Sequence, residues 1–486
     1  MYTLLLPILV PIMMGILLFI LPEPKNRKNL LLYTGITLIF NGILVLRAVF
    51  SSVETFTLFS LHDQLSIVFK ADELGKIFAV AVTIVWIMAG FFAFSYMSHE
   101  KNEKRYYAFY LIVFGVLIGL DFSGNLITMY AFYEFMTLCS FPLVIHNQSK
   151  EAIMAALKYL LYSFFGAYMA LFGIYFMIKY ADSSVFVPGG ALGTVENQAS
   201  LLIVAFLMIL GFGVKAGMFP VHGWLPTAHP VAPAPASAAL SAIIVKSGVF
   251  AMIRVAYYVV GPEFIRGTWV QTVWLSLALI TVFMGSMLAY GEKVFKKRLA
   301  YSTVSQVSYI VYGLALLNPI AMTGSMLHVL AHAFIKCTLF LVAGAIIFKT
   351  GCTWVDEFRG IGKKMPITMW CYTFASLGLI GIPPTGGFIS KWYLATGALD
   401  SGIKIFNFLG PIVLLISALL TAGYLLPVSI NAFLPGEDFD SKNVKKCEPD
   451  KYMLIPLIVL TVLSVLIGLF PNFLIQYFTN LISGLM

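Results

Sequence analysis

The chain has 486 residues; 60% are hydrophobic and only 11% are charged, and the mean hydropathy is +0.91. These values exclude a soluble globular protein and fit an all-α polytopic membrane protein. The net charge of +9 does not point to nucleic acid, because the basic residues are dispersed through short loops, where they report topology.

A membrane-crossing helix needs about 20 consecutive apolar residues. Reading the chain in order on that basis predicts fourteen spans: 2–21, 30–50, 76–98, 106–120, 124–146, 152–179, 200–228, 233–259, 269–291, 298–317, 319–348, 367–399, 407–434 and 452–479. The first run lacks a basic leading region and a small-x-small cleavage site, so it reads as a span and not as a cleaved signal. Residues 51–75 alternate apolar and polar side chains and read as a small extramembrane hairpin. The expected organisation is an N-terminal three-helix segment over 1–105, a five-helix unit over 106–259, a second over 269–434, and a C-terminal helix within 452–486.

The odd-numbered loops hold 18 basic residues, Lys25 and Lys442 among them, and the even-numbered loops hold five. The positive-inside rule puts the odd loops in the cytoplasm and, with fourteen spans, both termini outside. Eight basic residues remain within spans. Arg47, Lys158, Arg254 and Lys349 lie nearer span ends and can snorkel to the interface. Lys215, Lys246, Lys336 and Lys391 lie too deep for that, and a lysine at bilayer depth costs several kcal/mol unless paired or hydrated.

Among the acidic residues only Glu134 sits deep in a span; Asp121 falls at the turn between spans four and five, where water is expected to reach it. Glu134 and Lys215 therefore read as a pair, either a packing device or a switch. Moving or hydrating the carboxylate would load or unload the lysine proton. Lys215 precedes a break at Gly217 and Pro220; Lys391 follows a second at Pro383, Pro384, Gly386 and Gly387. Broken helices at membrane depth are tolerated only where protein buries them or water lines them, and paired breaks in two halves point at an ion path. If spans four to eight and nine to thirteen are two units of five, an odd number of spans forces the second to be inverted, and Lys215 corresponds to Lys391.

His328, His332 and Lys336 recur every fourth residue, so they share one helical stripe over roughly 12 Å. Histidines at this spacing can be satisfied core residues, metal ligands or a proton relay. The pair lacks a nearby glutamate or further Cys or His to complete a metal site, while imidazole titrates in the range a relay needs. His222 and His229 read as interfacial, His146 as a loop-edge residue, and the seven tryptophans as interface anchors. Cys139, Cys337, Cys352, Cys371 and Cys447 form no cluster-ligand spacing, so no iron–sulfur site and no cofactor is expected in this chain.

These residues resemble the antiporter-like subunit family shared by Mrp-type Na+/H+ antiporters, the membrane arm of respiratory complex I and energy-converting hydrogenases. The motifs are Tyr133-Glu134, the stretch from Lys215 through His229, the following Ala-Pro-rich run, His328-x-x-x-His332-x-x-x-Lys336, and the Gly/Pro run 381–388. The resemblance covers nearly the whole chain and implies fourteen core helices in two inverted five-helix repeats, broken in spans seven and twelve. It further implies that Glu134–Lys215 is a gating ion pair and Lys246 the central proton carrier. His328, His332 and Lys336 would connect across the second half, with Lys391 as the outward terminal group. Some members carry glutamate where this chain has Lys391. The chain ends after span fourteen without the long lateral helix of the largest members, which favours the look of the D-type Mrp antiporter protein. The implied setting is a prokaryotic cell membrane, with other antiporter-like and small hydrophobic subunits as partners, a NiFe hydrogenase or other iron–sulfur module as a further one, and protons and Na+ as the moved ions. A self-sufficient transporter of another substrate, or a haem protein using His328 or His332, are the competing classes. The scarcity of deep polar groups outside the lysine–histidine row argues against the transporter, and a haem absorbance band would establish the other.

Overall fold

The computed structural model describes residues 2–23, 26–52, 55–62, 65–193, 197–437, 439 and 445–486; Lys25 and Lys442 of the topology count lie outside them. The helices, in order, are α1 (Tyr2–Ile20), α2 (Arg27–Val49), α3 (Glu73–Tyr96), α4 (Glu103–Asp121), α5 (Leu126–Val144), α6 (Lys150–Tyr180), α7 (Gln198–Ala216), α8 (Leu225–Val231) and α9 (Ala234–Val259). There follow α10 (Trp269–Gly291), α11 (Phe295–Ala315), α12 (Pro319–Thr350), α13 (Pro366–Ile380), α14 (Gly386–Leu399), α15 (Phe406–Phe433), α16 (Lys451–Leu469) and α17 (Asn472–Ser483).

Local chemistry sets the boundaries. Side chains of Asn26, Asp72, Asn125, Ser149, Asn318, Thr385 and Asp450 accept from backbone N–H groups in the first turns of α2, α3, α5, α6, α12, α14 and α16. Where the cap is buried, as at Asn125 and Thr385, the orphan donors have no water to turn to, so it matters more there than at a solvated surface. Gly217 and Gly381 end α7 and α13 with φ of 72° and 92°, a conformation that penalises any side chain with a Cβ.

Among the described residues eleven helices are long and apolar enough to cross a membrane. They differ in what surrounds them. α6 shows lipid a stripe of Leu161, Phe165, Tyr168, Phe172 and Tyr175, spaced three or four residues apart. α9 is buried throughout, as is nearly all of α12. α4 and α11 fall outside the eleven, yet both are among the most enclosed helices. α11 buries Ser302, Thr303, Ser305, Gln306 and Ser308 against its neighbours, so its hydropathy answers to protein and not to lipid.

The hairpin expected over 51–75 is two antiparallel strands, β1 (Phe56–His62) and β2 (Leu65–Phe69). It docks on the α4–α5 turn: Asn125 Nδ2 donates to Ser66 O (2.9 Å) and Val68 N donates to Thr128 Oγ1 (2.8 Å). The third span opens at Glu73, not residue 76, because Asp72 caps it. The last expected span is two helices, since Pro471 ends the run and α17 starts afresh. Gly386 and Gly387 belong to the opening turn of α14 and not to the break itself. There the carbonyl of Gly378 lies so close that Gly387 has no room for a Cβ. Three of the seven tryptophans, Trp86, Trp224 and Trp274, are core residues and not interface anchors; the indoles of Trp86 and Trp224 donate to backbone carbonyls.

Candidate functional site

Both breaks create a helix C-terminus inside the molecule, and each places a lysine there. A helix C-terminus offers unpaired carbonyls and the negative end of the helix dipole. Lys391 on α14 uses this directly: its Nζ donates to Leu379 O (2.6 Å) and Ile380 O (3.0 Å), the last carbonyls of α13. Lys215, in the last turn of α7, is fully buried and donates to Tyr159 Oη at 2.6 Å. Its ammonium also lies 4.1 Å from the Tyr159 ring and 5.7 Å from the Trp224 ring, a cation–π setting. Tyr159 Oη in turn shares a hydrogen bond with Ser140 Oγ (2.8 Å).

The expected Glu134–Lys215 ion pair is not closed in this structure. No ion pair among the described residues includes either group, Tyr159 holds the lysine, and Glu134 Oε1 has no protein partner. Glu134 is half-buried, beside Phe135 and Leu138, which are exposed on the same helix.

Lys246 sits just after a π-helical turn in α9, Leu240–Ile244. Such a turn widens the helix locally and releases a carbonyl from its regular partner. Ser241 O accepts from Lys246 Nζ (3.2 Å), and Lys246 Nζ shares a 2.7 Å hydrogen bond with His332 Nδ1. Gly248 lets α9 approach α7 within backbone contact: a Cβ there would lie 2.6 Å from Phe212 O and 2.9 Å from the Lys215 Cβ. That approach seats the Lys215 turn of α7 against the α9 turn that carries Lys246.

On α12, the His328 and His332 rings lie 5.8 Å apart. His328 Nδ1 bonds Ser390 Oγ (2.8 Å), and its ring stacks on Tyr309 at 5.7 Å. The same Tyr309 ring lies 4.9 Å from Lys391 Nζ. The observed succession is therefore Lys246, His332, His328, then Ser390 and Tyr309, then Lys391. Lys336 lies one turn beyond His332, away from His328, within electrostatic reach of His332 and Lys246, and donates to Leu299 O at 3.1 Å. Each histidine commits Nδ1 to a side chain, and among the described residues no set of three or more His, Cys, Asp or Glu gathers as metal ligands.

Tyr159, Ser241, Tyr309 and Ser390 were missed by sequence reasoning, since nothing local separates them from other membrane tyrosines and serines. Arg254 departs from its expected snorkelling. It is fully buried and makes a two-pronged pair with Asp72, Nη1–Oδ2 at 2.5 Å and Nη2–Oδ1 at 2.7 Å. The rings of Phe186, Phe250 and Tyr258 pack 4.5–4.9 Å from its guanidinium. Burial pushes the Asp72 carboxyl up, but Arg254 beside it prevails and holds it below the usual carboxylate range. Asp121 is 3% exposed and not wetted, because the hairpin and α3 cover the turn. His229 is likewise buried and not interfacial, packed between Trp224 and Phe340.

Residues 123–419 match the family model described as NADH:quinone oxidoreductase/Mrp antiporter, membrane part, and residues 59–107 match the N-terminus of chain 5 of NADH-ubiquinone oxidoreductase (complex I). The chain belongs to this family of antiporter-like membrane subunits. It is 34% identical over 433 residues to the N-type subunit of the NADH-quinone oxidoreductase of Desulforudis audaxviator, covering 85% of this chain and 83% of the relative. It is 27% identical over 479 residues to the D-type subunit of the Na+/H+ antiporter of Bacillus subtilis, covering 96% and 93%. The higher of these two identities falls on the oxidoreductase side and the longer coverage on the antiporter side. A chain in the solved Mrp complex of Dietzia sp. DQ12-45-1b shares the fold, with a TM-score of 0.86 at 22% identity over 99% of this chain and 97% of that one.

Proposed function

We propose that this chain translocates protons as one subunit of a multisubunit cation/proton machine, either a Mrp-type Na+/H+ antiporter or an ion-pumping oxidoreductase of the complex I or hydrogenase kind. The observation that carries this reading is the succession Lys246–His332–His328–Ser390/Tyr309–Lys391, buried groups that can each hold a proton or lie within reach of one that does. The chain is read as fourteen spans in two inverted five-helix units, with both termini outside a prokaryotic cell membrane. In that frame Lys336 lies on the cytoplasmic side of His332 and is the uptake branch, Lys246 is the central carrier, and Lys391 is the outward terminus. Glu134 and Lys215 gate the row: Glu134 sits on a flank with exposed apolar side chains, where a neighbouring subunit can draw it toward Lys215 or away. The chain itself performs no redox chemistry and holds no cofactor; electrons, where they drive the machine, move in partner subunits.

Purification from the native membrane through a tag on this chain, with mass spectrometry of what accompanies it, tests the assignment. Iron–sulfur or NiFe hydrogenase subunits make it the pumping limb of a redox enzyme. Only antiporter-like and small hydrophobic chains make it part of a Mrp-type exchanger. Recovery of the chain alone, active on its own, overturns the subunit reading.

A further inference from the structure

Asp121 is the last residue of α4 and is 3% exposed. Its position is costly twice over. A carboxylate at a helix C-terminus meets the negative end of the dipole, and a buried charge lacks hydration. Its Oδ2 has no protein partner. Arg254 is the cation that acts on it electrostatically, and Lys246 lines the same cavity. Arg254, already bonded to Asp72, lies within electrostatic reach and keeps its own Nε without a protein partner. Lys246 and Asp121 both line one small cavity, together with Phe78, Leu117, Ile243 and Val329. Asp121 also lies next to the opening turn of α3 that Asp72 caps: a Cβ on Gly75 would collide with the Asp121 carbonyl. Asp72 keeps 17% side-chain exposure, so this corner leads to the surface.

We infer that Asp121 is a second outlet for the central lysine, an outward proton acceptor within the first half of the chain. The inference rests on the reading of Lys246 as a proton carrier. The lysine ammonium gives its proton to the Asp121 carboxylate, leaving a neutral amine and a carboxylic acid. The acid then releases the proton past the Asp72–Arg254 pair to the outer side, restoring the carboxylate. Arg254 compensates the negative form of Asp121 and, being an arginine, cannot take the proton itself. A branch of this kind lets Lys246 discharge without passing through His332.

The test uses everted native-membrane vesicles containing the complete complex, with acridine-orange fluorescence reporting the pH gradient built by its native driving force. Asp121→Asn is expected to cut transport about tenfold, less than the roughly hundredfold or more of losing a sole proton acceptor because the His332 branch remains, with the complex still assembled; Asp121→Glu is expected to recover at least half. Should Asp121→Asn not assemble, Ala81→Leu fills the same cavity from α3 without touching either charge and is expected to give the same loss. Wild-type transport in Asp121→Asn or Ala81→Leu overturns the outlet, provided Lys246→Ala is inactive in the same vesicles. Wild-type transport in Lys246→Ala removes the underlying reading as well. Loss in Asp121→Asn that Asp121→Glu does not recover assigns Asp121 a structural role and also overturns the outlet.

Discussion

Arg254 and the four deep lysines are cations held in opposite ways. Arg254 is gripped by both oxygens of Asp72 and boxed by three aromatic rings. Among the described residues Lys215, Lys246, Lys336 and Lys391 touch no carboxylate; their partners are a phenol, an imidazole and backbone carbonyls. Guanidinium stays charged under all conditions, so a matched carboxylate makes a permanent clamp. An ammonium that bonds only to neutral groups loses little by giving up its proton, because each partner can be met by a neutral amine. On the proposed function, the carriers among these five cations lack a counter-ion and the Arg254 anchor has one.

Exchanging the two kinds is the strongest test. Lys246→Arg keeps the charge and the reach but cannot release a proton; transport is expected to fall by roughly a hundredfold or more, as in Lys246→Ala, with assembly intact. Measured pumping near wild type in Lys246→Arg would show that charge alone suffices at this position. Breaking the anchor acts on stability instead. Arg254→Ala leaves Asp72 beside the packed end of α9 without its counter-ion. The expected loss is about 3 kcal/mol, the low end for a broken buried pair because Asp72 retains some exposure. Thermal unfolding of the purified complex reads it. A smaller effect belongs to Tyr159→Phe, which removes the hydrogen bond to Lys215 but leaves the ring: about 1.5 kcal/mol, or roughly tenfold in transport rate. An unchanged rate would mean that Glu134 holds Lys215 in the working state and that the phenol contact is incidental.

The difference between the two kinds of cation also marks what the sequence discloses. Lys215 and Lys391 stand out because each sits beside a Gly/Pro break, and His328, His332 and Lys336 because their spacing is a helical stripe. The membrane class and the hairpin follow from hydropathy and alternation alone. Arg254 is misleading: near a span end, an arginine with a long stem looks able to reach water, and its partner Asp72 lies 182 residues away in the chain. Asp121 and His229 sit at turns that look wet until the hairpin and the α7–α8 break fold over them. Tyr159 and Ser390 meet Lys215 and His328 only through helix approaches that small residues such as Gly166 and Gly324 permit, and no local pattern announces those. The order of the buried contacts escaped for the same reason, since periodicity gives the stripe but not which neighbour each member meets.

The smallest expected change is one of pH dependence, and it separates anchor from carrier outside the row. Asp72 lies below the usual carboxylate range in the folded chain, so its pairing contributes stability that is fully present above the unfolded value of about 4 and is lost as pH falls through the lower folded value. Arg254 does not titrate in this range. The gap in unfolding midpoint between the wild type and Asp72→Asn should therefore stay constant from pH 8 to pH 5 and narrow only in stronger acid. A gap that shrinks already between pH 7 and pH 5 would place a protonation event at Asp72 within the working range. Asp72 would then belong with the carriers, and the clamp at the end of α9 would be another step on the path.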